Sequence, residues 1–172
     1  GTLVREVLAR PRTARAALQY GTTIGLPQLR REVYRRWCRQ DGLARRTTTT
    51  ADTVVITNGS QQLLYLVSEV LCDPGDIVLL EDPTYFVYLG IVEALGIRAA
   101  GFGSLEALKA RLQRLKTRRQ LARLKMLYLV TYHQNPSGRT WSLAEKREAL
   151  AIVKHYARAA GHPLYILEDA AY

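Results

Sequence analysis

The sequence has little of what marks secretion, metal binding or a membrane. It holds two cysteines, Cys38 and Cys72, far apart and each inside a helical pattern. That excludes a disulfide framework and points to reduced, buried thiols in a cytoplasmic protein. The three histidines, His133, His155 and His162, share no ligand spacing with a cysteine or an acid pair, so no metal site is expected. No apolar run is long enough to span a bilayer. Gly1 to Glu6 lacks the layout of a signal peptide and reads as the middle of a longer chain. There is no internal repeat, and Thr47 to Thr50 is the one biased tract, a polar loop before a strand. What remains is 172 residues, 48% of them hydrophobic, enough for one soluble domain with a real core.

Acids are also scarce relative to bases, and the formal net charge is +10. The excess concentrates from Arg30 to Arg46 and from Lys109 to Lys125. Within the second segment Leu105, Leu108, Leu112 and Leu115 recur at helical spacing. The segment is therefore an amphipathic helix whose basic face meets solvent. An interface with further parts of the protein, or nucleic acid, are the alternative uses of such a face.

The pattern alternates between helices and strands. Gly25-Leu26-Pro27 turns into a helix with Leu29, Val33 and Trp37 on one face. Thr53 to Thr57 reads as a short buried strand. Asn58-Gly59-Ser60 caps a helix with Leu63, Leu64, Val67, Val70 and Leu71 on its apolar face, stopped at Asp73-Pro74-Gly75-Asp76. Ile77 to Leu80 is a strand, Tyr85 to Leu95 a helix closed by Gly96, and Ile97 to Gly101 another strand. After the basic helix, Met126 to Val130 is a strand. Ser142 to Glu145 is a capping box for a helix reaching about Ala160. Leu164 to Leu167 is the last strand. This order predicts an α/β fold, a mostly parallel sheet flanked by helices. Ligands of such sheets gather at the carboxyl ends of the strands.

Several polar residues fall at those ends. Ser60-Gln61-Gln62 opens a helix, where unpaired N–H groups and the dipole favour an anion such as phosphate; Gly59 lets the backbone approach it. An ordinary N-cap is the plainer use of Ser60. Asp169 follows a strand and can pair with a protonated ring nitrogen, or simply cap the next element. Tyr172, three residues on, can donate to a ring oxygen. Asn135 in His133-Gln134-Asn135-Pro136-Ser137-Gly138 can donate to the same oxygen or to a substrate carboxylate, or form a plain Asn-Pro turn. The bond before Pro136 can be cis or trans. Tyr85 can lay its ring on a planar cofactor or pack in the core. His133 either touches a substrate pocket or is a strand-end residue.

In their order these motifs resemble the fold-type I pyridoxal-phosphate enzymes of aminotransferase class I/II. The resemblance is strongest to the aminoadipate/aromatic aminotransferase branch and to the aminotransferase-like domains of related bacterial regulators. It rests on Ala17-Leu18-Gln19-Tyr20-Gly21 continued by Gly25 to Arg30, on Thr57 to Gln62, on Glu81 to Tyr85, on Gln134 to Gly138 and on Glu168 to Tyr172. It implies that pyridoxal 5'-phosphate is the cofactor, with Ser60 and Gln61 on its phosphate and Tyr85 stacked on its ring. Asn135 and Tyr172 would meet the ring hydroxyl oxygen, and Asp169 the ring nitrogen. Tyr20 would reach the phosphate of the neighbouring subunit in a homodimer. Residues 1–50 are then an N-terminal helical and interface segment, and 51–172 the front of the large cofactor-binding domain.

The resemblance also implies a Schiff-base lysine beyond the Asp-x-x-Tyr motif, and this chain ends at Tyr172. Lys109, Lys116, Lys125, Lys146 and Lys154 do not match its position. No catalytic residue is therefore expected among these 172, and the chain reads as an inactive fragment of an aminotransferase acting on an amino acid and a 2-oxo acid. A cofactor-responsive regulator carrying a DNA-binding domain, or a fold-type I lyase, are the other readings.

Overall fold

A computed structural model describes residues 1–40, 42 and 50–171. The expected cofactor contact Tyr172 and most of the Thr47 to Thr50 tract lie outside the described residues. The chain divides into two compact units, Gly1–Asn58 and Gly59–Tyr172. Within the first unit, residues 51–56 bond back to the segment around Ile24 and Arg30. Ile56 N–H donates to Ile24 O at 3.1 Å, and Arg30 donates to Val54 O at 2.6 Å and Ala51 O at 3.0 Å.

The first unit contains α1 (Thr2–Leu8), α2 (Pro11–Ala17) and α3 (Pro27–Gln40). The helix expected after Gly25-Leu26-Pro27 forms as α3, and one expectation fails. Leu29, Val33 and Trp37 on α3 stay about two-fifths exposed, while Arg30 is buried. Arg30 holds the backbone of residues 51–54 and faces Asp52 at 3.6 Å, so it is a structural residue rather than part of a basic surface. The strand expected over Thr53 to Thr57 does not form. Ala51–Thr53 is a short 3-10 turn, and residues 54–57 join no ladder among the described residues. An extended segment becomes a strand only where a neighbour answers its N–H and C=O groups.

The second unit is a three-layer α/β/α sandwich. Its elements are α4 (Gly59–Leu71), β1 (Ile77–Glu81), α5 (Phe86–Ala94), β2 (Arg98–Phe102), α6 (Leu105–Thr117), β3 (Leu124–Val130), α7 (Leu143–Ala160) and β4 (Tyr165–Asp169). The four strands are parallel in the order β2-β1-β3-β4. Alternate strand residues face opposite layers. Ile77, Leu79, Leu127 and Leu129 pack with Leu108 and Leu112 of α6 and with Ala149 and Val153 of α7. Val78, Leu80, Met126, Tyr128 and Val130 pack with Leu64 of α4 and Tyr88 and Val92 of α5. The apolar stripe of α6 forms as its spacing requires, with all four leucines buried and each contributing roughly 2 kcal/mol. On α4 the stripe shifts: Leu64 and Ser68 are buried, but Val70 is exposed and Leu63 partly so.

Local signals set the ends. Ser142 and Glu145 form the complete capping box of α7, and Gly161 ends it in the left-handed conformation at φ 73°. Cys38 and Cys72 are buried free thiols. No described helix is long and apolar enough to cross a membrane.

Candidate functional site

A helix that precedes a parallel strand runs antiparallel to it, so its N-terminus lies at the strands' carboxyl ends. The starts of α4 and α5 therefore stand at one edge of the sheet, on one face. Ser60 and Gln61 are exposed in the first turn of α4. Gly59 opens that turn at φ +79°, and a Cβ there would meet nothing within 4 Å. Within this chain glycine is needed for its backbone conformation, not for space. Tyr85 is the N-cap of α5 and is half-buried, its ring edge-on to Phe86 at 5.7 Å.

Asp169 is the last residue of β4, paired with Val130 of β3. The alternation of the strand places it on the layer of Leu167, which packs with Tyr88 and Tyr128, the α4 and α5 side. Its Oδ2 accepts a hydrogen bond of 2.9 Å from the phenol of Tyr128. Burial pushes the Tyr128 phenol far up, and the charge and bond of Asp169 add to this; Tyr88 and Tyr85 contribute as well. Tyr85 and Asp169 are thus both neighbours of one phenol. Tyr128 was a featureless aromatic in an apolar strand, and nothing in the sequence marked it.

Asn135 is half-buried, and its bond to Pro136 is cis, as is that between Asp82 and Pro83. Its placement depends on Gln134, fully buried beside it. The Gln134 amide donates to Pro83 O at 2.6 Å, and its oxygen accepts from Ser137 N–H at 2.8 Å and from the Ser137 hydroxyl. One side chain therefore ties the loop after β3 to the loop after β1. The motif contained Gln134, but only the fold shows its role. His133 is exposed, adopts φ 43° and donates its N–H to Thr140 Oγ1. Tyr20 lies in the first unit and is fully exposed.

The opposite face at the same edge is built differently. Glu81, at the end of β1, is buried and accepts from Trp141 Nε1 at 2.7 Å and Val130 N–H at 3.0 Å, with Arg139 at 3.8 Å. Burial pushes its carboxyl up, partly offset by those three partners. A cavity of about 120 Å³ beside it is lined by Asp82, Phe102, Ser104, Gln134, Ser137 and Arg139, and by none of the expected cofactor residues. Glu168 accepts from Thr131 at 2.5 Å and Lys146 at 2.8 Å. Burial raises the Glu168 carboxyl, but Lys146 and Thr131 outweigh it and hold it below the usual range. Lys146 is thereby engaged on the face away from Asp169. Among the described residues, no three His, Cys, Asp or Glu side chains are grouped to hold a metal.

The family model for aminotransferase class I and II matches residues 3–171. The chain belongs to this family. It is 31% identical over 162 residues to aromatic-amino-acid aminotransferase 1 of Thermococcus litoralis, covering 91% of this chain and 37% of that protein. It is 32% identical over 165 residues to 2-aminoadipate transaminase of Thermus thermophilus, covering 91% and 35%. An uncharacterised HTH-type transcriptional regulator of Escherichia coli is 30% identical over 132 residues, covering 77% and 27%. Among solved structures, an archaeal alanine:glyoxylate aminotransferase superposes with a TM-score of 0.86 at 30% identity, covering all of this chain and 40% of that one. The α-aminoadipate aminotransferase LysN of Thermus thermophilus, complexed with N-(5'-phosphopyridoxyl)-L-leucine, gives 0.75 at 31%, covering 97% and 39%. The chain thus spans well under half the length of the relatives it matches.

Proposed function

We propose that the full-length protein is a pyridoxal-phosphate-dependent aminotransferase moving an amino group from an amino acid to a 2-oxo acid. The observation that carries this is Asp169. It is a strand-end carboxylate fixed from one side by Tyr128, on the same face as Tyr85 and the open first turn of α4. The donor set fits the cofactor's chemistry: an anion-binding helix start, an aromatic face, an amide and a carboxylate. Ser60 and Gln61, with the α4 amides, bind the phosphate. Tyr85 lies against the ring, Asn135 and Tyr172 donate to the ring hydroxyl oxygen, and Tyr20 serves the neighbouring subunit of a homodimer. Pyridoxal phosphate, when bound, supplies an electron-accepting ring that makes the substrate α-proton acidic. Asp169 keeps a proton on the ring nitrogen and so sustains that demand for electrons. The free thiols and the family's usual setting support a cytoplasmic location.

A second reading is favoured by the regulator relative and the basic charge: a cofactor-sensing domain joined to a DNA-binding domain. One experiment separates the two. Full-length protein with pyridoxal phosphate is assayed against a panel of amino donors and 2-oxo acids. Amino transfer supports the enzyme. Cofactor binding with no transfer, together with cofactor-dependent DNA binding, supports the regulator.

A further inference from the structure

We propose that Tyr128 is a positioning residue for Asp169, holding its carboxylate aimed so that the cofactor's ring nitrogen keeps its proton. The proposal rests on Asp169 being the partner of that nitrogen. In the ladder Tyr128 pairs with Leu167, and Val130 with Asp169. The phenol therefore reaches one residue pair further along the same face, to Oδ2 at 2.9 Å.

The donor is held rigidly. Tyr128 is wholly buried, and its ring lies 4.0 Å from that of Tyr88 with the planes tilted 34°. Tyr88 is itself fully buried, and its hydroxyl meets Ser68 Oγ at 2.9 Å. The Tyr88 ring, carried by α5 and bonded to Ser68 of α4, thus fixes where the phenol of β3 stands. Burial pushes the Tyr88 hydroxyl up to about 12 and the Tyr128 phenol higher still, so both stay neutral. A neutral phenol can only donate to a carboxylate, so the contact fixes which way Oδ2 points. Without it, the half-buried carboxylate loses the one side-chain contact that fixes its direction among the described residues. The remaining oxygen faces no other hydrogen-bond donor among the described residues.

The test uses full-length protein loaded with pyridoxal phosphate labelled with ¹⁵N at the ring nitrogen. The ¹⁵N shift and the cofactor dissociation constant are measured for wild type, Tyr128→Phe, Ser68→Ala and Asp169→Ala, with melting temperatures to confirm folding. Tyr128→Phe keeps the ring packing and removes only the donor. It should move the shift part of the way towards neutral pyridine and raise the dissociation constant roughly five-fold, as loss of one net hydrogen bond implies. Asp169→Ala should move the shift the whole way, and Ser68→Ala, which loosens the Tyr88 support but keeps the donor, should move it less than Tyr128→Phe. Wild-type values in Tyr128→Phe beside a displaced Asp169→Ala would overturn the proposal and leave the proposed function standing. A Ser68→Ala displacement as large as that of Tyr128→Phe would trace the effect to packing and also overturn it. An unmoved Asp169→Ala would overturn both.

Discussion

Glu81 and Asp169 are both carboxylates at the carboxyl ends of strands, one on β1 and one on β4, and they face opposite layers. Glu81 is saturated: an indole N–H, a backbone N–H and a guanidinium surround it in a buried site. Asp169 is half-buried and receives one hydrogen bond, from Tyr128, among the described residues. A carboxylate whose acceptor capacity is used up by its own chain holds the fold together. One fixed from a single side is oriented while still able to take a further donor. Position at the strand end is common to both; the number of partners separates them.

The largest expected effect comes from breaking the open member of the pair. Asp169→Ala in the full-length protein should lower amino transfer by about 10²–10³-fold, the scale of losing one preorganised electrostatic contact. The melting temperature should fall less than for Glu81→Ala, because one buried donor, the Tyr128 phenol, loses its acceptor rather than two. Wild-type turnover in this variant would refute the role given to Asp169.

Glu81→Ala should show the reverse. It leaves the Trp141 and Val130 donors unsatisfied in a buried site, a loss of roughly 3 kcal/mol by urea unfolding. Activity per folded molecule should survive. A stable, inactive Glu81 variant would invert the contrast.

Ser142→Ala sharpens the comparison at a third site. It removes the side-chain cap of α7 and should cost about 1 kcal/mol, with no change in cofactor affinity.

The smallest effect concerns pH. Glu145 is a surface carboxyl held down at about 2 by the Ser142 backbone and hydroxyl and by Arg139. A depressed folded value means its stabilisation is present above the unfolded carboxyl range and is lost as pH falls towards 2. Acid titration should therefore show a shallower loss of stability in Glu145→Gln than in wild type over that window. Solvent screening keeps the difference small.

The sequence revealed those parts of the fold that depend on local order. The strand–helix alternation, the leucine stripe of α6 and the capping box of α7 were readable because each is fixed by residues within a few positions of one another. The strand over residues 53–57 was misread because a strand depends on a partner that local sequence does not contain. Arg30 stood in the sequence only as the start of a basic segment, because its partners, Ala51 and Val54, lie more than twenty positions away. The same distance hid Tyr128 and Gln134, whose partners Asp169 and Pro83 come from other loops and strands. Asp169, Asn135, Tyr85, Ser60 and Gln61 are proposed as the site from an ordered set of motifs. The residues that position them were legible only in three dimensions.

The central claim is that the α4–α5 face of the sheet edge holds the cofactor through Asp169. A crystal structure of the full-length protein with pyridoxal phosphate tests it most directly. The account predicts the ring nitrogen within hydrogen-bond distance of Asp169, the ring against Tyr85 and the phosphate on Ser60 and Gln61. A cofactor bound beside Glu81, or with its ring nitrogen away from Asp169, would contradict it.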